Sequence, residues 1–138
     1  MEDTHLSRKK GLSPGSLVYV GEKKEMPATI SFMNYDSDGI EEAYDISLEE
    51  VNTRKNKEGV IWIDVIGIHD ISVIERIGKT FNLHPLMLED ILNTGHRPKI
   101  DDYGDYLFFV LKMVYTEPSD RSLKIEHICL VLGDNYII

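Results

Sequence analysis

The sequence has little of three features that would place it outside the cell, in a membrane or on a nucleic acid. It contains one cysteine, Cys129, so it cannot form an internal disulfide. Its uninterrupted apolar runs are short, such as the five residues Leu107–Leu111, whereas a membrane-spanning helix needs about 20. Its 15 Lys and Arg residues are outnumbered by 24 Asp and Glu residues, a net charge of −9. Because nucleic acids and anionic lipids attract basic surfaces, this charge argues against both as partners.

The motifs of several common enzyme classes are also missing. The chain has neither a glycine-rich phosphate loop nor a nucleophile elbow. The dipeptide His69-Asp70 follows an apolar segment and supplies half of what a metal-dependent phosphohydrolase site would need. Asp70 is also placed to cap the helix predicted after it, and that structural role is the stronger interpretation. Cys129 lies within the apolar segment Ile128–Leu132, which predicts a small core residue rather than a reactive thiolate.

What the sequence does contain is enough apolar material for one folded domain. Of its 138 residues, 42% are hydrophobic, which suits a single domain spanning residues 1–138. The periodicity of the apolar positions and the turn residues between them predict the elements. Strands are predicted at 17–20, 28–35, 43–46, 60–65, 106–115 and 123–132, with a last one after a turn at 133–135. Helices are predicted from a capping box at Ser47 and Glu50, over 72–81, and from Pro85 to Asn93.

The order of these elements predicts an α/β fold with a mixed sheet flanked by helices. The segment Val60–Val65 is apolar on both faces until Asp64, which is typical of a central strand covered by layers on both sides. The last three predicted strands are joined by short turns and should form an antiparallel meander. A doubly wound parallel sheet would need more alternations of strand and helix.

The two ends of the chain differ in character. The first ten residues are polar and do not resemble a secretory signal. The last three, Tyr136–Ile138, form an apolar, β-like triplet, whereas natural termini are usually polar and frayed. We therefore expect the sequence to be the N-terminal part of a longer protein, interrupted within a strand.

The helix predicted from Pro85 carries the most informative polar residues. On a helical wheel, its apolar positions 87, 88, 91 and 92 share one face, and Leu86, Glu89 and Asp90 share the other. Two neighbouring carboxylates suit a divalent cation of the Mg²⁺ class, which keeps most of its waters. A leucine between acids also suits a partner contact. A plain solvated acidic face is the simpler interpretation, and an acidic protein-interaction module remains a further alternative.

A small basic cluster follows this helix. It consists of His96, Arg97 and Lys99, with Pro98 keeping Arg97 extended. The basic side chains could pair with Asp101 and Asp102, or with the two acids of the helix. Structural pairing of this kind is the expected role, ahead of an anion site.

Together these segments resemble a known family. The run from His84 to Asn93, HPLMLEDILN, followed by Arg97–Lys99, resembles the soluble N-terminal domain of the CorA family of magnesium transporters. The segment Trp62–Gly67 is similar to the same family, as are the stretches 10–15, 18–19 and 33–35 near the start. The resemblance covers essentially the whole chain.

The resemblance implies a fold, an assembly and a cellular location. It implies an α/β/α sandwich on the cytoplasmic side of the cell membrane, in a homopentameric channel for Mg²⁺ that also passes Co²⁺ and Ni²⁺. In this family the domain continues into long helices, two transmembrane helices and a Gly-Met-Asn selectivity motif, none of which occurs in this sequence. The protein would then not be an enzyme, and the isolated chain should be monomeric or weakly associated.

The resemblance also implies a regulatory divalent-cation site between neighbouring subunits. By motif position, Asp90 would supply one ligand, with an acid of the adjacent subunit supplying another. Glu89 would contribute to a second site nearby. The helical wheel points Leu86 outward together with both acids, as a site at a subunit contact requires. Mg²⁺ is the expected ion, with Co²⁺, Ni²⁺ and Zn²⁺ as alternatives because zinc transporters share this domain.

Overall fold

The computed structural model describes residues 11–22 and 25–138, so the polar first ten residues lie outside the described part. Within it the chain forms seven strands and three helices. In chain order these are β1 Thr29–Tyr35, β2 Ile40–Ala43, α1 Leu48–Arg54, β3 Val60–Ile66, α2 Ile71–Phe81, α3 Pro85–Ile91, β4 Lys99–Asp102, β5 Leu107–Thr116, β6 Leu123–Leu132 and β7 Tyr136–Ile137. None of the helices in these residues has the length and apolar character of a membrane-spanning helix.

The strands form one mixed sheet in the order β2-β1-β3-β7-β6-β5-β4. The pair β3 and β7 is parallel, and the other neighbouring pairs are antiparallel. The predicted mixed sheet is therefore confirmed, and so is the antiparallel meander of β5, β6 and β7.

Each helix begins at the residue type that its sequence predicts. The side chain of Ser47 accepts a hydrogen bond from the Glu50 backbone N–H, and the Glu50 side chain accepts one in return, which completes a capping box. Asp70 caps α2, and Pro85 occupies the first turn of α3 after the cap residue His84. Asn82 ends α2 in the left-handed conformation at φ 53°, which Asn tolerates better than most residues.

The core lies between the three helices and one face of the sheet. In register, Phe32 pairs with Ile63 and Phe108 with Val131, so the buried strand residues point to the same side. The helices contribute their buried faces to the same cluster. Its fully buried large side chains are Phe32, Phe108, Ile61, Ile63, Met87, Leu92, Val51 and Val110. Burial of these side chains is the main favourable contribution to folding.

The opposite face of the sheet, which we call the outer face, leaves apolar side chains exposed. Trp62 of β3 is 45% exposed and Leu132 of β6 is 38% exposed. Further exposed apolar residues on this face are Ile66, Ile100, Leu111 and Met113. The prediction that β3 is covered on both faces is therefore wrong for residues 11–22 and 25–138. An apolar face this extended on one domain is typical of a surface that another layer covers.

The sheet also contains an open cleft beside its shortest strand. β7 lies between β3 and β6 but pairs only with Ile61 and Trp62 of β3 and with Leu132 of β6, while the Ile138 backbone bonds Val131. Beyond this point β3 and β6 face each other across a cavity of about 720 Å³. Its lining includes residues 64–67 on one side and 126–129 on the other.

Two predicted strands differ markedly from the structure, and one observed strand is not predicted. The predicted strand 17–20 reduces to an isolated bridge, in which Val20 pairs with Asn93. The strand predicted at 43–46 is instead β2, and it ends before Asp45, which has a positive φ of 52°. The sequence does not predict β4, because its residues KIDD are mostly polar and their strand conformation depends on pairing with β5.

The two faces of α3 give a direct test of this architecture. Met87 is fully buried and Leu86 is 44% exposed, although they are adjacent on the same helix. Met87→Ala should lower the free energy of unfolding by about 2–5 kcal/mol, because it leaves a cavity in the core. The control Leu86→Ala should change it by no more than about 0.5 kcal/mol. Urea denaturation of both variants measures this difference, and equal losses would contradict the assigned helix faces.

Candidate functional site

The candidate site is built on the side of α3 that faces away from the core. Met87, Leu88 and Ile91 of the helix are buried, as its periodicity predicts, and so is Leu92 just after it. Leu86 is exposed on the other side, while Glu89 and Asp90 are only half-buried. The start of the helix is fixed by its cap and by the His84 backbone N–H, which donates to the Tyr106 hydroxyl at 2.8 Å. The helix therefore presents its two carboxylates at the surface in a defined orientation.

Asp90 is held by basic side chains of the segment that follows the helix. Its Oδ2 lies 2.6 Å from the Lys99 ammonium, and its Oδ1 lies 3.3 Å from His96 Nε2. The same Lys99 ammonium lies 2.5 Å from Asp101 Oδ2. The expected structural pairing of the basic cluster is thus confirmed for Lys99, which bridges Asp90 of the helix and Asp101 of the segment after it.

The electrostatics of Lys99 keep it charged at this position. Burial of the ammonium acts to lower its pKa, but its hydrogen bonds to the carboxylates of Asp101 and Asp90 outweigh burial and leave the pKa raised. The ammonium also lies 5.6 Å from the centre of the Phe108 ring, within the range of a cation–π contact. Lys99 is therefore a permanent positive charge next to Asp90.

Glu89 turns to a different partner. Its Oε2 accepts a hydrogen bond from the Gly15 backbone N–H at 2.8 Å. Gly15 has a φ of +82°, and a Cβ there would lie 3.3 Å from Pro85 Cβ, so only glycine fits without strain. The bond fastens the segment before β1 to the outside of α3. No local pattern in the sequence indicates that Glu89 binds Gly15.

The donor chemistry of these residues fits a hard divalent cation, but only as part of a site. Two carboxylates supply the oxygen ligands that Mg²⁺ prefers, and Mg²⁺ commonly takes one or two of them and retains waters. The two carboxylates hold separate partners within the chain. Among the residues that the structure describes, no group of three or more His, Cys, Asp or Glu side chains is arranged to hold a metal ion.

The alternative site at His69 and Asp70 has structural roles instead. Asp70 Oδ1 accepts hydrogen bonds from the Ser72 hydroxyl at 2.7 Å and from the Ser72 backbone N–H at 3.0 Å. These bonds lower the pKa of the carboxyl and cap α2. His69 Nε2 lies 2.9 Å from the Met26 carbonyl oxygen. The predicted capping role of Asp70 is therefore confirmed, and nothing in this geometry favours a phosphohydrolase.

An acidic stretch of the chain, residues 36–50, bears on the alternative of an acidic interaction module and is partly neutralised within the chain. Glu41 pairs with Arg54 and Lys57, and Glu49 pairs with Arg76. The neighbouring Glu50 is used in the capping box of α1. These contacts favour a solvated, internally paired surface over a dedicated acidic docking site.

Cys129 belongs to a half-buried polar cluster behind α3. Its Sγ lies 3.2 Å from His127 Nε2, and His127 Nδ1 lies 3.4 Å from the Lys112 ammonium. Lys112 in turn donates to the Thr94 carbonyl oxygen at 2.5 Å. Burial raises the pKa of the Cys129 thiol to about 12, and burial together with Lys112 lowers the pKa of His127. Cys129 packs against the core as a neutral thiol, as its sequence context predicts.

This raised pKa makes the reactivity of Cys129 a test of the packing. A thiol of pKa about 12 carries about three orders of magnitude less thiolate at pH 8 than an unperturbed cysteine, and the thiolate is the nucleophile. Iodoacetamide should therefore label the folded chain at least about 100-fold more slowly than the chain in urea. The control is free cysteine in both solvents, and similar labelling rates for the folded and unfolded chain would contradict the assigned environment.

Comparison with known proteins decides the family. The family model described as "CorA-like Mg²⁺ transporter protein" matches residues 57–138, more than half of the chain. The chain belongs to the CorA-like family. The matched region contains β3, all of α2 and α3, and the carboxylates Glu89 and Asp90.

A curated relative and two solved structures agree with this assignment. The chain is 39% identical, over all 138 residues, to the "Cobalt/magnesium transport protein CorA" of Thermotoga maritima. It spans 39% of the length of that protein. The soluble domain of CorA from Methanocaldococcus jannaschii matches 78% of this chain and 38% of its own, with a TM-score of 0.53 and 16% identity. The complete CorA magnesium transporter of the same organism matches 83% and 32%, with a TM-score of 0.53 and 12% identity.

These matches bear on two predictions made from the sequence. The fold of the mixed sheet with its helices matches that of the CorA soluble domain. The Thermotoga and Methanocaldococcus relatives carry the names of transport proteins rather than of enzymes, which is consistent with the expectation that this chain is not an enzyme.

Proposed function

We propose that this chain is the cytoplasmic regulatory domain of a CorA-like magnesium and cobalt transporter. In this proposal the domain senses cytosolic Mg²⁺ through Asp90 and Glu89 and gates a homopentameric channel in the cell membrane. The observation that carries the proposal is the placement of both carboxylates beside the exposed Leu86 on the outward side of α3. Family membership and the name of the Thermotoga maritima relative support Mg²⁺ and Co²⁺ as the ions that the full-length protein transports.

Asp90 would form part of one site between two subunits, and Glu89 would contribute to a second site nearby. Leu86 would contact the neighbouring subunit, and acids of that subunit would face the two carboxylates. Like charges a few ångströms apart repel, so the contact between facing acids is unfavourable without a cation. Lys99 offsets only part of this charge, because Asp90 and Asp101 share its ammonium. A bound divalent cation supplies the neutralising charge. The closed arrangement would therefore be favoured at high cytosolic Mg²⁺ and lost as the concentration falls.

A site with a small number of protein ligands suits such a sensor, because it binds the cation weakly. Mg²⁺ gives up its waters reluctantly, and a site with one or two carboxylates leaves most of them in place. Weak affinity is what feedback requires, since the site must empty when the free cation falls. Co²⁺, Ni²⁺ and Zn²⁺ remain alternatives for the bound ion.

The charge-reversed variant Asp90→Lys tests the regulatory role in the full-length protein. A lysine at this position places a positive charge where the cation would bind, so it should imitate the occupied site. We expect the dependence of transport on Mg²⁺ inhibition to weaken at least about tenfold, because the neutralising charge is then present at every Mg²⁺ concentration; uptake into proteoliposomes at varied Mg²⁺ measures this. The control is Asp105→Lys, which changes charge equally in the turn before β5 and should leave inhibition near that of the unmodified protein. Unchanged inhibition in Asp90→Lys would overturn the site assignment.

We also propose that the domain continues beyond this sequence. The apolar outer face around Trp62 and the open cleft between β3 and β6 both support an additional layer and a longer β7. Helices that cover the outer face would form the second helical layer of an α/β/α sandwich. The membrane-spanning helices that the proposed transporter function requires would lie in this extension.

The reading frame downstream of Ile138 tests this extension. We expect it to encode a continued β strand, then long helices, and then two apolar stretches of about 20 residues each, the length needed to span a bilayer. The first of these stretches should end in Gly-Met-Asn. Sequencing the natural gene checks this, and a stop codon directly after Ile138 would contradict it.

A further inference from the structure

Lys99 is placed between two carboxylates that differ in role. Its ammonium lies 2.6 Å from Asp90 on α3 and 2.5 Å from Asp101 on β4. Lys99 and Asp101 are two residues apart on β4, so their side chains point to the same face of the strand. Asp101 is thus a second partner for Lys99, and it is not one of the residues proposed to bind a cation.

We propose that Lys99 is a built-in competitor for the divalent cation at Asp90. When a cation binds to Asp90, the Lys99 ammonium leaves Oδ2 and remains paired with Asp101. This inference rests on the proposed function, because it assumes that Asp90 is a ligand. It adds that Lys99 lowers the affinity of the site for the divalent cation.

Burial makes the competition effective. The side chains of Asp90 and Lys99 are 22% and 27% exposed, so the pair is screened less by solvent than a surface ion pair. A cation that binds Oδ2 in place of this partner has its apparent affinity reduced by the strength of the pair that it displaces. His96 Nε2 lies near the other oxygen, Oδ1, at 3.3 Å, so each carboxylate oxygen of Asp90 has a basic neighbour.

Asp101 makes the displacement possible. Without a second carboxylate, displacing the ammonium would leave a half-buried positive charge unpaired beside a divalent cation, which is strongly unfavourable. With Asp101 at 2.5 Å, the ammonium keeps one charge-assisted hydrogen bond in either state. Lys99 and Asp101 should therefore affect the cation affinity in opposite directions.

The experiment measures Mg²⁺ affinity in the full-length protein through Mg²⁺-dependent protection from limited proteolysis, with Mg²⁺ alone as the probe. Lys99→Met removes the ammonium and keeps most of the apolar stem, so it should strengthen apparent Mg²⁺ affinity about tenfold. Asp101→Asn removes the second partner and should weaken it several-fold. Lys99→Arg keeps the charge and should stay within about threefold of the unmodified protein.

Arg97→Gln serves as the matched control for net charge. It removes one positive charge at an exposed position two residues from Lys99, so a general electrostatic effect would change the affinity equally in Arg97→Gln and Lys99→Met. We expect less than a twofold change in Arg97→Gln. Equal shifts in these two variants would overturn the competitor role.

The remaining outcomes separate this inference from the proposed function. If Asp90→Asn abolishes the protection while Lys99→Met leaves the affinity unchanged or weaker, the competitor role fails and the regulatory site stands. If Asp90→Asn leaves the protection unchanged, the regulatory site itself fails. Should Lys99→Met not fold, the variant Asp101→Asn still decides, because an affinity equal to or above that of the unmodified protein would overturn the inference.

Discussion

Hydrophobic burial along one face of α3 fixes where the polar groups of the candidate site lie. Met87 and Leu92 are fully buried, and Leu88 and Ile91 are nearly so. Because a helix holds its side chains at fixed angles, burying this face sets the directions of Leu86, Glu89 and Asp90. The helix has only seven residues, so its stability depends on packing rather than on intrinsic propensity.

The parts of the fold that could be predicted from the sequence are those decided by local patterns. The helix starts follow from Ser47, Asp70 and Pro85, and the meander follows from short turns between β-rich segments. The buried face of α3 follows from the spacing of four apolar residues. In each case the physical signal lies within about ten residues of chain, where periodicity and capping act.

The parts that could not be predicted depend on contacts between distant segments. β4 is mostly polar and becomes a strand because β5 pairs with it. Glu89 binds a backbone N–H 74 residues away in sequence, and no local pattern signals that contact. Lys99 is one of several possible partners for four acids in the sequence, and only the fold shows that it bridges Asp90 and Asp101. The prediction that β3 is buried on both faces rests on its apolar composition. Composition alone does not distinguish a buried apolar face from an exposed one.

The exposed position of Trp62 gives this protein an intrinsic optical probe. The sequence contains one tryptophan, and its side chain lies on the outer face, 45% exposed in the described structure. The emission of an indole shifts to shorter wavelength as water leaves its surroundings. The fluorescence of the chain therefore reports whether the outer face is wet or covered, with no label and no second tryptophan to confuse the signal.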